Sequence, residues 1–280
     1  MRFDNCVLIR GGGDLATGVA LRLHHAGINV LITELAQPLA VRRAVSFCEA
    51  VYEGTHTVEG VTARLVEANQ LEPWKARAEP SRSEADVIPV IIDPEASILS
   101  SFQFPVVIDA RLIKTPPLPL PTPVPLHIGL GPGFTAGSDC HAVIETRRSH
   151  TLGRVYWSGS TQPDSGEPDG DPRRVLRAPA DGAMIGLKKI GEHCEAGNVI
   201  AEIMVDTYTR IQVYSPFNGV LRGIIRNGLT VTRGLKIGDV DARNDASACF
   251  LVSDKSLAIS GGVLEAVLTQ PETRKKLFSA

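Results

Sequence analysis

A glycine-rich turn follows the first apolar run of the chain. The stretch "VLIRGGGDLATGVALRL" (7–23) fits the G-x-G-x-x-G/A pattern of dinucleotide-binding turns, with Ala16 in the last position. The free amides of such a turn, and of the helix that follows it, attract phosphate. An acid at the end of the next strand is placed to bind a ribose. These patterns predict the following cofactor-binding residues: Gly11, Gly12, Gly13, Asp14, Leu15 and Glu34.

Asp14 leaves two interpretations of this turn open. A carboxylate at the start of a helix caps the free amides itself and repels a pyrophosphate at the same position. The turn is therefore either a site for a dinucleotide or nucleotide, or a scaffold that is kept for tight packing of a helix on a strand and binds nothing.

A second glycine-rich stretch, "HIGLGPGFTAGSDCHAVIETRRSHTLGRVYWSG" (127–159), combines a flexible loop with reactive side chains. Its glycines allow a ligand to approach the backbone closely, and a histidine beside a cysteine favours the reactive thiolate. The alternative is a glycine-rich turn with a buried cysteine. The candidate binding glycines are Gly129, Gly131 and Gly133, and the candidate catalytic residues are Asp139, Cys140, His141 and Glu145.

Composition excludes several classes of function. A net charge of −2 and a pI of about 6.4 give no basic excess for nucleic acid or an anionic membrane. No apolar stretch is long enough for a signal peptide core or a membrane span, so we expect a cytoplasmic protein. The five cysteines are scattered without a CxxC pair, so we expect neither a disulfide framework nor a metal site.

The elements around the first turn predict an α/β domain. Strand, helix and strand follow one another within residues 6–34, which indicates a parallel sheet. A helix from Pro38 through Ala50 and strands at 87–92 and 105–110 extend the pattern. The sequence thus predicts a Rossmann-like domain of about four strands over 1–114. A linker with six prolines in "TPPLPLPTPVP" follows, over 115–126.

The C-terminal half contains an internal repeat. After a small β-rich segment over 127–172, the stretch 178–203 matches 215–240 at an offset of 37 residues without a gap. Glycines at fixed offsets mark turns between short strands. The pattern predicts a barrel-sandwich hybrid of the biotinyl/lipoyl type over 173–245. Its hairpin tip, "MVDTYTRIQ", contains no lysine, so we expect no attached biotin or lipoate.

The last segment, 246–280, predicts a terminal helix that Ser253 or Asp254 caps. Small residues on this helix (Ala258, Gly261 and Gly262) indicate close packing on the first domain or on another subunit in a homo-oligomer.

Three stretches together resemble the YqeB family of selenium-dependent molybdenum hydroxylase system proteins. They are "IRGGGDLATGVALRLHHAG", "GLGPGFTAGSDCHAVIETRRSHTLGRVYWSGSTQPDSGEP" and "ISGGVLEAVL". The resemblance runs from about residue 6 to residue 268. It implies an accessory role in the maturation of molybdenum hydroxylases of the xanthine dehydrogenase type, with such a hydroxylase as partner. It supplies a pathway, and no active-site residues to carry over.

Three functions follow as hypotheses. In the first, the chain is a maturation factor that handles a nucleotide, the molybdenum cofactor in its dinucleotide form, or a selenium or sulfur species on Cys140. In the second, it is an NAD-dependent oxidoreductase, although no Tyr-x-x-x-Lys pair is present. In the third, it is a non-catalytic scaffold that docks a hydroxylase.

Overall fold

The computed structural model describes residues 3, 5–71, 87–167 and 170–278. The chain divides into two compact units. Unit 1 comprises Met1–Pro38, Phe47–Asp164 and Val252–Ala280, and unit 2 comprises Leu39–Ser46 and Ser165–Leu251. The segment 67–86 is polar and shows no periodicity in the sequence, and most of it, residues 72–86, lies outside the described residues.

Unit 1 is built on a nine-stranded mixed sheet. Its strands are β1 (Cys6–Arg10), β2 (Asn29–Glu34), β3 (Thr55–Val58), β4 (Val61–Leu65), β5 (Val87–Ile92), β6 (Val106–Asp109), β7 (Leu126–Leu130), β9 (Ala142–Ile144) and β10 (Val155–Tyr156). They lie in the order β10-β9-β7-β6-β1-β2-β5-β4-β3, and only the two outermost pairs are antiparallel. A separate two-stranded ribbon joins β8 (Thr135–Ala136) to β11 (Gly159–Ser160).

The central strands are buried along their whole length. Every residue of β1, β6 and β7 is buried, as expected of parallel strands covered on both faces. The helices of unit 1 are α1 (Asp14–His25), α2 (Ala50–Glu53), α3 (Asp254–Thr269) and α4 (Pro271–Leu277).

The terminal helix α3 packs against α1. Ser253 caps α3 by accepting a hydrogen bond from the amide of Ser256 at 3.1 Å, which confirms the predicted cap. Gly18 of α1 faces Ser256 so closely that no Cβ would fit between them. The Ser256 hydroxyl donates in turn to the backbone carbonyl of Asp14 at 3.1 Å.

The predicted Rossmann-like domain over 1–114 is wrong. The sheet does not end with four strands before the proline-rich segment, because β7, β9 and β10 continue it beyond residue 126. A hairpin, β3 and β4, stands on its other side in place of a further strand–helix–strand unit. The predicted helix from Pro38 through Ala50 is also wrong, since this segment forms two short 3₁₀ turns, Arg43–Val45 and Phe47–Glu49, before α2. The fold is a multi-sheet α/β fold.

Unit 2 consists of two four-stranded antiparallel sheets. Their strands are β12 (Val175–Arg177), β13 (Gly182–Gly186), β14 (His193–Cys194), β15 (Val199–Met204), β16 (Arg210–Tyr214), β17 (Gly219–Ile224), β18 (Thr230–Val231) and β19 (Lys236–Asp241). One sheet has the order β12-β19-β17-β14, and the other has the order β16-β15-β13-β18. Each strand of the first sheet corresponds, at an offset of 37 residues in the sequence, to the strand at the same position in the second sheet.

The predicted barrel-sandwich hybrid of the biotinyl/lipoyl type is corrected by this arrangement. The strands form two separate sheets, and β12, β14, β16 and β18 are their open edges. The unit also takes in Leu39–Ser46 from far outside the repeat. Val41 fills the space beside Gly223 so closely that a Cβ on Gly223 would lie 2.6 Å from the Val41 carbonyl oxygen.

One helical segment of the described residues, Ser247–Thr269, is long and apolar enough to cross a membrane by length and composition, with a mean hydropathy of 1.2. A core helix has the same composition. In α3, Ile259, Val263, Ala266 and Val267 are all buried, while 39% of the apolar window as a whole is buried. The cytoplasmic location stays a prediction.

Candidate functional site

The glycine turn after β1 is closed by a side chain of the protein itself. The amide of Gly12 donates to Oε2 of Glu34 at 2.6 Å, and Oε1 of Glu34 accepts from the amide of Leu35 at 2.7 Å. Glu34 is buried, and burial raises its pKa while these two hydrogen bonds oppose the rise. The carboxylate therefore engages one amide of the glycine turn, Gly12, and the amide that follows β2, Leu35.

Asp14 is not the N-cap residue of the helix that it begins. Gly13 is the N-cap residue of α1, and Asp14 is the first helical residue. The turn is also packed from below, because a Cβ on Gly12 would lie 2.9 Å from the amide nitrogen of Cys48. The carbonyl of Gly12 accepts a hydrogen bond from that amide at 2.9 Å. The amide and the carbonyl of Gly12 are therefore both hydrogen-bonded within the protein, and Cys48 leaves no room for a side chain at this position.

The glycines of the second loop serve close packing. A Cβ on Gly129 would meet the ring of Phe134, and one on Gly133 would lie 2.5 Å from the carbonyl oxygen of Ile113. Gly131 has a φ of +88°, which favours glycine, and it lies beside Thr146. The loop therefore needs these glycines to fold onto the sheet, whatever it binds.

The four candidate catalytic side chains each form a hydrogen bond with the backbone. Cys140 Sγ donates to the carbonyl of Ala142 at 3.2 Å. Oδ2 of Asp139 accepts from the amide of Thr135 at 2.9 Å. Nδ1 of His141 accepts from the amide of His127 at 2.9 Å.

Glu145 is buried and accepts from the amides of Arg147 and Gln162, both at 2.8 Å. It therefore fixes the chain after β9 to the segment that follows β11. Among the hydrogen bonds of the described residues, none joins the side chains of these four candidates to one another.

The Cys140 thiol is poorly placed for nucleophilic chemistry. It is buried, and burial raises its pKa to about 11. The nearby carboxylate of Asp139 raises this pKa further, while hydrogen bonds to the backbone oppose it. The thiolate, which is the attacking form, is thus scarce at neutral pH.

A buried polar cluster, which the sequence patterns missed, lies where the sheet changes direction. The chain runs from β1 to β2 on one side of β1 and places β6 on the other side, so the gap between β1 and β6 is a topological switch point. In open α/β sheets, ligands bind outside the carboxyl ends of the strands at such a point. Arg10 ends β1, and Asp109 ends β6 directly opposite it.

We call Arg10, Asp109, Arg111 and His127 the switch-point cluster. Arg10 Nη1 donates to Asp109 Oδ2 at 3.2 Å, and Arg10 Nη2 donates to the carbonyl of Pro94 at 3.1 Å. Arg111 holds both oxygens of Asp109, with Nε at 2.8 Å and Nη2 at 2.6 Å. The side chain of Asp109 is fully buried between the two guanidinium groups.

His127 belongs to the same face of the sheet. Asp109 is paired with Gly129 on β7, and His127 precedes Gly129 by two residues, so both point to the face of Asp109. Burial lowers the pKa of His127 to about 4, and the charge of Asp109 opposes this shift while the charge of Arg10 adds to it. The ring is therefore neutral at pH 7.

Two atoms of the cluster are buried without a partner. Nε of Arg10 and Nε2 of His127 have no hydrogen bond in the structure, and both residues are at most 6% exposed. A buried polar group without a partner is costly and rare. The cluster can therefore offer a guanidinium donor and a neutral imidazole to a small polar ligand.

One signal in the sequence could have found Arg10 and Asp109. Each is a charged residue that ends an apolar strand, in "VLIR" and "VVID". Among the described residues, no group of three or more His, Cys, Asp and Glu side chains is placed to hold a metal ion.

Comparison with known proteins gives one relative in sequence. No protein-family profile matches this chain. "Uncharacterized protein YqeB" of Escherichia coli K12 is 45% identical over 266 residues, which cover 94% of this chain. The chain is a relative of YqeB. This similarity supports the YqeB family, and the chain spans about half the length of that relative, 47%.

Solved structures give only weak likenesses. An aspartoacylase family protein of Mesorhizobium loti is 15% identical, with 84% of both chains covered and a TM-score of 0.27. A succinylglutamate desuccinylase of a Silicibacter species is 13% identical, with the same coverage and a TM-score of 0.27. These neighbours are not the Rossmann-like and biotinyl/lipoyl-like proteins that the sequence predicted. At TM-scores this low they carry no argument about activity.

Proposed function

We propose that the chain is an accessory factor for the maturation of selenium-dependent molybdenum hydroxylases, and that it acts by binding rather than by redox turnover. The similarity to YqeB supports a place for this chain in the YqeB family. The resemblance of the sequence to that family implies the role in hydroxylase maturation. The observation that carries the binding role is the switch-point cluster, where two atoms are buried without partners: Nε of Arg10, at the carboxyl end of β1, and Nε2 of His127, the second residue of β7.

The carboxylate of Glu34 competes with a dinucleotide at the glycine turn. It accepts a hydrogen bond from the Gly12 amide at 2.6 Å, and its charge opposes a phosphate at that amide. This argues against the NAD-dependent oxidoreductase, and equally against holding the dinucleotide form of the molybdenum cofactor in this turn. The buried, protonated thiol of Cys140 argues against a persulfide or selenide carrier.

A cellular assay tests the function. A molybdenum hydroxylase of the xanthine dehydrogenase type is produced with and without the full-length chain, and its activity is measured per amount of hydroxylase protein. We expect activity to depend on the chain. Equal activity in its absence would contradict the accessory role.

The same assay tests the site. Arg10→Lys and His127→Gln should reduce the support given to the hydroxylase, whereas Cys140→Ser and Glu34→Gln should retain most of it. Soluble amounts of each variant are compared first, to separate binding from folding. Dependence on the chain together with full support by both cluster variants would keep the function and overturn the site.

Calorimetric titration with NADH and NAD distinguishes the accessory factor from the NAD-dependent oxidoreductase. We expect no saturable binding at micromolar concentrations. Such binding, followed by hydride transfer to an acceptor, would replace the accessory role with the redox enzyme.

A further inference from the structure

The strand β16 is the longest edge strand of the described sheets. It has five residues, compared with four in β3, three in β12 and two in β10, β14 and β18. It forms one edge of its sheet and pairs only with β15. An edge strand presents a row of unpaired amides and carbonyls to which another strand can add.

Exposed apolar side chains gather around this edge. Val205, Tyr208, Ile211 and Tyr214 are all large hydrophobic residues that remain exposed, and Tyr208 at the hairpin tip is 95% exposed. Four such residues lie within ten positions, at the hairpin tip and on both faces of the unpaired edge. The exposed apolar residues and the unpaired edge together favour the addition of another strand.

The sequence of β16, Arg-Ile-Gln-Val-Tyr, places the two β-branched apolar residues Ile211 and Val213 on either side of Gln212. We propose that β16 pairs antiparallel with β16 of a second copy of this chain, with Gln212 on the two-fold axis. Arg210 then lies opposite Tyr214 of the second copy, where a guanidinium can stack on the ring. Ile211 lies opposite Val213, which extends the apolar face of the sheet.

Charge also fits this register. The two Arg210 side chains fall at opposite ends of the paired strands, so like charges do not face each other. Within its own chain Arg210 lies beside Glu202, with Nη1 3.4 Å from Oε2. The inference concerns unit 2 alone and does not depend on the proposed function.

Charge reversal on the two-fold axis tests the proposal. Gln212 is exposed, and its Oε1 accepts a hydrogen bond from the Tyr214 hydroxyl at 2.6 Å. Gln212→Lys and Gln212→Glu each place two like charges directly opposite each other in the dimer. We expect each to raise the dimer dissociation constant about fivefold, as measured by analytical ultracentrifugation of the full chain.

Mixing the two variants should restore the dimer, because lysine then faces glutamate. The matched controls are Thr230→Lys and Thr230→Glu, which change an exposed residue on the opposite edge of the same sheet and should leave the dissociation constant unchanged.

Four outcomes would overturn the proposal. A wild-type chain that stays monomeric across the concentration series excludes the dimer. A dimer that neither charge weakens places the interface elsewhere. A weakened dimer that the mixture does not restore removes Gln212 from the axis. A monomer that binds an extended peptide through β16 would assign this edge to a different protein.

Discussion

The glycine turn and the Arg10–Asp109 contact of the switch-point cluster both lie at the carboxyl ends of strands in one sheet. The turn and the cluster differ in how the hydrogen bonds of their polar groups are satisfied. In the turn, Glu34 supplies an acceptor to two amides. In the cluster, Asp109 satisfies two guanidinium groups, but Arg10 Nε and His127 Nε2 are left over. The sequence motif lies at the glycine turn, while the polar atoms without hydrogen-bond partners lie in the switch-point cluster. A motif therefore identifies a backbone shape, and the partners of its polar atoms decide whether a ligand is needed.

Removing the carboxylate of the cluster should have the largest effect. Asp109→Ala leaves the buried Arg10 without its counter-ion, and we expect a loss of about 3–5 kcal/mol in the free energy of unfolding, measured with urea. The control is Asp171→Ala, which breaks an exposed ion pair with Arg173 and should change stability little. Similar effects of the two variants would mean that the cluster is not a buried ion network.

Acid should expose the contribution of His127. The unfolded chain takes up a proton on this ring near its ordinary pKa, whereas the folded chain does so only at about 4. The unfolded state therefore binds more protons between these values, and stability falls as the pH drops through this range, by about 3 kcal/mol from this group.

His127→Gln should remove that part of the acid sensitivity, as measured by urea unfolding at a series of pH values. The exposed His193, changed to glutamine in the same way, serves as the control. An unchanged pH dependence in the His127 variant would show that the ring is solvated and that the cluster is open to water.

Removing the Glu34 carboxylate from the glycine turn should lower the free energy of unfolding by a smaller amount. Glu34→Ala leaves the amides of Gly12 and Leu35 without their acceptor, and we expect a loss of about 1–3 kcal/mol. Inorganic phosphate should then raise the Tm of the variant and not that of the wild type, because the freed amides attract an anion. Glu195→Ala, at an exposed position, is the control. A wild-type chain that phosphate stabilises equally would contradict the closed turn.

We expect the smallest effect on stability from a substitution in the glycine-rich loop over 127–159. Cys140→Ser keeps a donor for the carbonyl of Ala142 and should alter stability by less than about 1 kcal/mol. Iodoacetamide should label Cys140 in the folded chain more than about tenfold more slowly than in the unfolded chain, because the thiol is buried and protonated. Mass spectrometry of the labelled peptide measures both rates. Rapid labelling of the folded chain would reinstate thiol chemistry.

Local patterns predicted much of the secondary structure. The strand at Val87–Ile92 matches the predicted bounds, and α3 begins one residue after the predicted cap. Burial and apolar runs are local properties, so sequence reasoning reaches them. The order of nine strands is not local, because it depends on which distant segments share one core.

The candidate site shows the same limit. Glu34 was placed correctly at the end of β2, but its role depends on a side chain that reaches back 22 positions to Gly12. Arg10 and Asp109 are 99 positions apart, and their contact follows from the adjacency of β1 and β6. Neither contact changes the pattern of residue types, so no motif could distinguish a closed turn from an open one.

The short segment Leu39–Ser46 has a consequence for the order of folding. Arg43 Nε donates to the carbonyl of Ile224 across 181 positions at 3.1 Å, and Arg42 Nη2 donates to that of Leu251 across 209 positions at 2.9 Å. During synthesis, this segment leaves the ribosome roughly 10–40 s before Ile224 is made. The two sheets of the repeat can pair locally, but the unit closes last, once a piece of chain made early finds strands made late. That closure ties the kinetics of assembly to the rate of translation.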